Sequence, residues 1–250
     1  MISFDNLTIK LFMDGADIQQ MGTYAKLPYI KGFTTNPSLL HNSGINNYHF
    51  FAQQALSIAK TLPISFEVLA DDFKVMEQEA RIIAAWGANS YVKIPITNSL
   101  GESSIPLIRA LSQEGMRLNI TAVMSISQIE SAIAVLNPKT PSIISIFAGR
   151  IADTGRDPMP MVKQAALLLK NHPNIELLWA SIRELLNIFH AAEAGAHIIT
   201  VTPDILKKLP LLGKNLDEFS LETVQMFRRD SIAAGLTLTD AGTQPRAKLP

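Results

Sequence analysis

Short runs rich in β-branched and aromatic residues recur along the chain about every 20–35 residues, and this recurrence constrains the fold most strongly. Stretches with helical periodicity, among them 48–60 and 73–85, separate the runs. The expected strands are 9–13, 32–35, 64–68, 91–94, 118–121, 142–147, 175–179 and 197–201. Strand–helix units of this number and length predict an α/β fold, a single (β/α)8 TIM barrel.

Glycines support this division of the chain. Gly87, Gly115 and Gly195 follow expected helices, at positions where a left-handed glycine typically ends a helix. A doubly wound sheet also alternates strands and helices, but no glycine-rich fingerprint follows the first strand. The barrel is therefore the favoured fold.

The pattern changes after the eighth unit. A further helix is expected, whose apolar residues include Leu216, Phe219, Val224, Phe227 and Ile232. These side chains require a partner, which is either the flank of the barrel or a neighbouring subunit. The expected organisation is a barrel domain over 1–213, a helical extension over 214–237 and a flexible tail over 238–250.

Charge and composition exclude several classes of protein. Lys+Arg and Asp+Glu both number 22, so the net charge is zero and no nucleic-acid or membrane partner is expected. Cysteine is absent, which excludes disulfides and thiolate catalysis. The N-terminus lacks the features of a signal peptide and no apolar run has the length of a membrane span, so a cytoplasmic location is expected.

A lysine lies in the middle of the fourth expected strand. Lys93 stands between Val92 and Ile94, where burying an unpaired ammonium group costs several kcal/mol or more. Either Lys93 pairs with a carboxylate, or desolvation lowers its pKa and leaves a neutral amine. A neutral amine attacks carbonyl groups, so the second alternative predicts Schiff-base chemistry.

Polar residues also end most of the other expected strands, where a barrel builds its active site. In chain order these are Asp14, Thr34, Thr35, Asn36, Glu67, Asn119, Thr121, Ser145, Arg150, Ser181, Arg183, Thr200 and Thr202. Structural alternatives exist for several of them. Asp14 would serve as a helix cap, Asn36 as part of a turn, Glu67 as a purely structural partner of Lys93, and Arg150 and Arg183 as surface residues.

Together these residues support carbon–carbon bond chemistry. Lys93 would condense with a ketone, and Glu67 would supply a proton through a water molecule held by Thr121. Asp14 is the candidate base for the hydroxyl beside the cleaved bond.

The remaining polar residues suit a phosphorylated sugar. Arg150, Ser181 and Arg183 offer donors for a phosphate group, while Asn36, Asn119 and Ser145 would orient hydroxyl groups. No metal site is expected, because the histidines lack paired ligand spacing and cysteine is absent.

Several linked motifs resemble the transaldolases, a family of Schiff-base sugar aldolases with a (β/α)8 barrel. The resemblance covers about residues 11–209 and rests on FMDGAD at 12–17, GFTTNP at 32–37, SFEV at 65–68, VKIP at 92–95, LNIT at 118–121 and IFAGRI at 146–151. It implies Lys93 as the Schiff-base lysine, Asp14 as the acid/base, and Glu67 with Thr121 as the pair that holds water. It further implies Asn36 and Asn119 as hydroxyl ligands and Arg150 as the phosphate ligand, with Ser181 and Arg183 in a variant motif. No cofactor is implied.

An aldolase branch of this family usually has glutamine where Glu67 stands and tyrosine where Phe147 stands. Both residues of this chain are of the transferase type, and Phe147 supplies no hydroxyl that would help water to complete the reaction. The short chain resembles the compact members, which form rings of subunits, so a homo-oligomer is expected. A catalytically silent barrel acting as an assembly or binding subunit is the alternative from a different class.

The segment 152–157 follows Arg150 and carries a second arginine, Arg156, among acidic neighbours. It is interpreted as a salt-bridged loop, with a role at the acceptor end of the pocket as the alternative. A sulfonated sugar would meet much the same arginines as a phosphorylated one.

Overall fold

The computed structural model describes residues 8–238, and its strands form a closed parallel barrel. Each strand pairs with the next, and β8 pairs with β1. The (β/α)8 fold predicted from the sequence is therefore confirmed. The strands are β1 Lys10–Asp14, β2 Ile30–Thr34, β3 Ile64–Glu67, β4 Ser90–Pro95, β5 Leu118–Val123, β6 Ser142–Ile146, β7 Ile175–Trp179 and β8 Ile198–Val201.

Helices follow the strands and cover the outside of the barrel. Those of the barrel are α1 Ile18–Tyr24, α2 Pro37–Asn42, α3 Tyr48–Ala59, α4 Phe73–Ala84, α5 Ile105–Gln113, α6 Ile126–Ile133, α7 Ala148–Ala152, α8 Met159–Leu168, α9 Asn187–Glu193 and α10 Pro203–Leu206. Side-chain caps begin many of them. Asp72 accepts from two backbone amides of α4, and Ser125 and Gln128 form a reciprocal capping box on α6.

Two apolar cores stabilise the barrel, one on each face of the sheet. The larger lies between the strands and the helices, which explains why strands such as β6 are buried along their whole length. The smaller fills the inside of the barrel, and we call it the inner apolar layer. It consists of Phe12, Tyr91, Ile143, Leu178, Ala180 and Ile198.

Gly32 makes room for this inner layer. A Cβ atom at position 32 would lie 2.6 Å from the tip of the Phe12 ring, closer than packed side chains tolerate. The absence of a side chain at Gly32 on β2 therefore allows the Phe12 ring to cross the barrel interior.

The expected helix ends are mostly confirmed, with one exception. Gly115 and Gly195 have φ values of 81° and 82° and follow the caps of α5 and α9, as predicted. The prediction for Gly87 is wrong, because α4 already ends at Ala84 with an ordinary helical cap at Ala85. Gly87 instead meets a close approach, since a Cβ there would lie 3.1 Å from Asn89 Oδ1.

The chain divides into two compact units between Leu209 and Pro210, and the expected domain boundary lies after residue 213. The second unit contains α11, Leu216–Ala233, close to the helix expected from the sequence. Asn215 caps α11 by accepting from the amides of Asp217 and Glu218, and Lys214 forms an ion pair with Glu222. Of the expected tail, residues 239–250 lie outside the described residues.

Within residues 8–238, no helix has both the length and the apolar character needed to cross a membrane.

Candidate active site

Lys93 occupies the centre of β4, with only 6% of its side chain exposed. Its Nζ lies 3.0 Å from Glu67 Oε2 and donates to the Thr35 carbonyl oxygen, also at 3.0 Å. Of the two ways to accommodate a buried lysine, the structure shows pairing with a carboxylate. A carboxylate is therefore in direct contact with the lysine amine.

The strand register produces this contact. Glu67 is the last residue of β3 and stands opposite Lys93 in the parallel ladder, so both side chains point to the same side of the sheet. The Tyr48 hydroxyl donates to the Glu67 carbonyl oxygen at 3.1 Å, which fixes the end of β3. Burial raises the pKa of this tyrosine, so it remains a hydrogen-bond donor.

Asp14 ends β1 and stands opposite Thr34 in the register with β2. The Thr34 hydroxyl donates to Asp14 Oδ1 at 2.7 Å. Asp17, and not Asp14, caps α1, which leaves the Asp14 carboxylate free of that structural role. Burial raises the pKa of Asp14, and the nearby Lys93 ammonium and the Thr34 hydrogen bond partly oppose that rise.

Asn119 lies in a buried hydrogen-bond chain beside Lys93. Its Nδ2 donates to Ser65 Oγ at 3.0 Å, and its Oδ1 accepts from Ser145 Oγ at 2.7 Å. Asn119 stands opposite Lys93 in the ladder between β4 and β5. The chain therefore holds the carboxamide in one orientation beside the lysine.

Thr121 lies two residues further along β5. Its hydroxyl is buried and has no hydrogen-bond partner within the described part of the chain. A buried polar atom of this kind is a natural position for a water molecule. Next to it, Ala122 has a φ of 59° where the pairing of β5 with β6 shifts register.

Asn36 begins α2, where its Oδ1 accepts from the Leu39 amide at 3.0 Å. The structural alternative for this residue is thus realised in part. Its side chain also lines the cavity described below, and its Nδ2 group makes no hydrogen bond within residues 8–238. Asn36 therefore caps a helix and still offers a donor.

Arg150 follows β6, and Ser181 and Arg183 follow β7. We call these three residues the basic wall. The Arg150 guanidinium lies 5.7 Å from the centre of the Phe147 ring, a cation–π distance. Ser181 has a φ of 63°, and a Cβ added to Gly149 would overlap the Ser181 carbonyl oxygen. The close packing of these two loops places Ser181 beside the start of α7.

Arg183 forms an ion pair with Asp153, which belongs to the segment expected to be a salt-bridged loop. The partner is an arginine from the next loop and not Arg156 of the same segment. About half of each side chain is exposed, so we assign this pair little stability.

A cavity of about 260 Å³ at the mouth of the barrel connects these residues. Glu67, Asn119 and Thr121 do not line its wall. Glu67 and Asn119 adjoin it through hydrogen-bonded neighbours, Lys93 and Ser145 respectively. The sequence-predicted residues that line the cavity are Asp14, Asn36, Lys93, Ser145, Phe147, Arg150, Ser181 and Arg183.

Sequence reasoning assigned no role to four residues that hold these groups. Thr34 and Thr200 line the cavity, Ser65 binds Asn119, and the Thr35 backbone binds Lys93. Thr34 and Thr200 were recognisable only as polar strand ends. Ser65 carried no separate signal, because a serine in a strand is common.

No group of three or more His, Cys, Asp or Glu residues suited to a metal ion occurs within residues 8–238. The polar groups around Lys93 are instead hydroxyl, amide, carboxylate and guanidinium groups.

A closed barrel with a buried lysine–glutamate pair at its mouth places the protein in the TIM-barrel class. Solved structures agree on the fold. A putative phosphonomutase from Burkholderia cenocepacia superposes with a TM-score of 0.55 at 11% identity, over 90% of this chain and 95% of the other. A putative dihydrodipicolinate synthase family protein from Coccidioides immitis gives 0.56 at 10% identity, over 80% and 68%.

Sequence comparison identifies the family. The transaldolase/fructose-6-phosphate aldolase model matches residues 11–244, so the chain belongs to this family. "Probable transaldolase 2" of Listeria monocytogenes is 33% identical over 84% of this chain and 94% of its own. A "Probable transaldolase" of Clostridium acetobutylicum is also 33% identical, over 88% of this chain and all of its own.

Proposed function

We propose that this protein is a transaldolase that moves a dihydroxyacetone unit from a ketose phosphate, of the fructose 6-phosphate or sedoheptulose 7-phosphate type, to an aldose phosphate. The contact of Lys93 Nζ with Glu67 Oε2, beside a cavity that Asp14 also lines, carries this proposal. In this proposal Lys93 supplies the amine, Glu67 accepts its proton, and Asp14 acts as a separate acid/base group.

The first step would be Schiff-base formation. Glu67 takes a proton from the Lys93 ammonium across 3.0 Å, and the neutral amine adds to the ketone carbon. A proton from Glu67 then reaches the carbinolamine hydroxyl through a water molecule at the unpartnered Thr121 hydroxyl. Water leaves, and an iminium ion links the sugar to Lys93.

Asp14 would perform the second step. It removes the proton from the hydroxyl beside the bond to be cleaved, the carbon–carbon electron pair moves into the iminium, and an aldehyde departs. The lysine retains a three-carbon enamine. Because burial raises the pKa of Asp14, its carboxyl group is suited to keep that proton and return it when an acceptor aldehyde adds.

The basic wall would bind the phosphate group of both donor and acceptor. Arg150 and Arg183 line the cavity and carry guanidinium groups that bind phosphate in a bidentate manner. Asp153 already engages one edge of the Arg183 guanidinium, which has further N–H groups for an anion. Asn36, Asn119 and Ser145 would contact or orient the sugar hydroxyls.

A fructose-6-phosphate aldolase is the second candidate, because the matching family model covers both activities. Phe147 favours the transferase, since its ring faces the cavity and Arg150 without a hydroxyl group. We expect Phe147→Tyr to raise aldehyde release relative to transfer by about 2- to 10-fold, corresponding to roughly 0.4–1.4 kcal/mol. An unchanged ratio in a coupled assay would contradict this role.

Borohydride trapping with fructose 6-phosphate tests the proposal. A three-carbon adduct on Lys93 is expected by intact mass and peptide mapping, and it should diminish when an aldose phosphate acceptor is added. Lys93→Met should abolish the adduct, whereas the exposed Lys139→Met is the matched control and should retain it.

The outcomes separate the candidate functions. A scarce adduct with continued release of glyceraldehyde 3-phosphate would indicate the aldolase. No adduct with fructose 6-phosphate, sedoheptulose 7-phosphate or free dihydroxyacetone would indicate a silent barrel, in which Lys93 and Glu67 are a structural pair.

We also propose that the protein is a homo-oligomer in which a neighbouring subunit covers exposed apolar residues of α11, including Leu216 and Phe219. Light scattering coupled to size-exclusion chromatography tests this proposal. A monomer at micromolar concentration would contradict it.

A further inference from the structure

Two threonine hydroxyls extend from Asp14 across three neighbouring strands. Thr34 Oγ1 on β2 lies 2.7 Å from Asp14 Oδ1 on β1, and it also forms a hydrogen bond with Thr200 Oγ1 on β8. Thr34 and Thr200 are 2% and 3% exposed, so bulk water does not compete for these groups. The chain is possible because β1 pairs with both β2 and β8.

The direction of the chain follows from the number of available protons. An ionised carboxylate only accepts hydrogen bonds, and a threonine hydroxyl has a single proton to donate. When Asp14 is ionised, Thr34 therefore donates its hydroxyl proton in the hydrogen bond to Asp14 Oδ1. The proton between the two threonines must then come from Thr200, which donates to Thr34.

We propose that Thr200 is a positioning residue that acts on Asp14 through Thr34, favours the ionised form of the carboxyl group and orients that group towards the cavity. This inference rests on the proposed acid/base role of Asp14. Thr200 is distinct from the residues assigned above to the Schiff base, the water molecule, the sugar hydroxyls and the phosphate group.

The electrostatic surroundings of Asp14 give this chain its importance. Burial favours the neutral acid, and the nearby carboxylate of Glu67 adds to that effect. The Lys93 ammonium and the Thr34 hydroxyl act in the opposite direction. The other charged residues that line cavities together with Asp14 are Asp17, Asp204, Arg150 and Arg183.

Thr200 would strengthen the hydrogen bond that Thr34 makes to Asp14. A hydroxyl that accepts one hydrogen bond becomes a better donor of another, and the bond to a carboxylate is charge-assisted. The accepted bond also fixes the rotation of the Thr34 hydroxyl, so that its proton stays on Asp14. Without the Thr200 hydroxyl, no group donates a hydrogen bond to the buried Thr34 Oγ1.

Thr200→Val tests this role, because valine retains the shape and β-branching of threonine while lacking the hydroxyl. We expect the pKa of Asp14 to rise by about half a unit in this variant, because cooperativity contributes only part of one hydrogen bond. The acid limb of the kcat/KM profile should move to higher pH by the same amount. Thr200→Ser should restore both values.

The direct measurement is a carboxyl titration by NMR on protein labelled with ¹³C at the aspartate side-chain carboxyl, with Asp14→Asn assigning the resonance. It needs no turnover. The matched control is Thr140→Val, which removes a buried threonine hydroxyl just before β6, at the opposite end of the strands. The control should leave the Asp14 titration unchanged.

An Asp14 titration that is unchanged in Thr200→Val would overturn the inference, as would a Thr200→Ser variant that behaves like Thr200→Val. If Thr200→Val does not fold, the Asp14 titration is measured in Thr200→Ala instead. A rise in the Asp14 pKa would then support the inference, and an unchanged pKa would overturn it. Failure of the proposed function is distinguishable, because Lys93 would then form no borohydride adduct whether or not the titration shifts.

Discussion

The inside of the barrel has two levels that differ sharply in chemistry, although the same strands build both. On four strands the inner apolar layer lies towards the amino-terminal ends, and the residues two positions further on form a polar layer at the mouth. On β7 the apolar layer continues to the mouth, where Leu178 and Ala180 line the cavity. The pairs of lower and upper residues on one strand are Phe12 and Asp14, Tyr91 and Lys93, Ile143 and Ser145, and Ile198 and Thr200.

A step of two residues keeps a side chain on the same face of a strand. A single backbone geometry therefore serves packing at one level and polar contacts at the next. The apolar residues of these four strands lie beneath Lys93 and Asp14.

The largest contrast between the layers is expected for Lys93→Met. Turnover should be abolished, because no other amine lines the cavity within the described residues. The free energy of unfolding should fall by about 3–5 kcal/mol, because the substitution leaves the Glu67 carboxylate buried without its partner. Urea unfolding and initial rates measure both effects, and substantial residual activity would remove the Schiff-base assignment.

Asp14→Asn should lower kcat by about 10²- to 10⁴-fold, the usual contribution of a general acid/base. The free energy of unfolding of this variant should instead increase at neutral pH. Burial raises the pKa of Asp14 above its ordinary value of 3.8, so folding favours the protonated form and the ionised form costs stability at neutral pH.

Asp14→Asn should therefore be more stable than the native protein at pH 7. This advantage should shrink as the pH falls through the pKa of folded Asp14 and disappear below about 3.8, where both folded and unfolded Asp14 are protonated. Urea unfolding at a series of pH values measures the difference. A variant that is less stable at pH 7 would show that Asp14 is a structural residue.

Phe12→Ala is the corresponding test of the lower layer. Phe12 is 1% exposed, and truncating a buried phenylalanine costs about 3–5 kcal/mol. Activity per folded molecule should remain within about a factor of three, or roughly 0.7 kcal/mol, because the ring lies below the polar layer. The exposed Phe50→Ala is the control, with an expected cost below about 0.5 kcal/mol.

The smallest effect is expected for Ser65→Ala, which removes the acceptor of the Asn119 Nδ2 group. A buried donor left without a partner costs about 1–3 kcal/mol of stability, and kcat should fall by only a few-fold. The exposed Ser131→Ala serves as the control. If kcat falls as far as in Asp14→Asn, Ser65 belongs to the catalytic machinery. The polar layer would then extend one level deeper on β3, from Glu67 to Ser65.

The fold was predictable because its signal is repeated along the chain. Each strand is short, buried and followed by a helix, so a misplaced end such as 197 for 198 in β8 does not change the topology. Gly87 was misjudged because the same residue suits both a left-handed cap and a tight approach to Asn89. Sequence position alone does not distinguish these two demands.

The candidate site was predictable where a single strand carries an unusual residue, as β4 does with Lys93, a charged side chain among apolar neighbours. It was not predictable where the partner comes from a distant strand. Thr34 and Thr200 are 166 positions apart, and only closure of the barrel brings their hydroxyls together. The pairing of Arg183 with Asp153 likewise joins two loops that are separate in the sequence.

The missing side chain at Gly149 has a consequence for any redesign of the loops around the cavity. Any larger residue there would displace the backbone of Ser181, so position 149 and the loop after β7 are expected to accept changes only together. Libraries that replace Gly149 while keeping the native loop after β7 should yield mostly inactive clones. Grafting both together from a relative should preserve the fit.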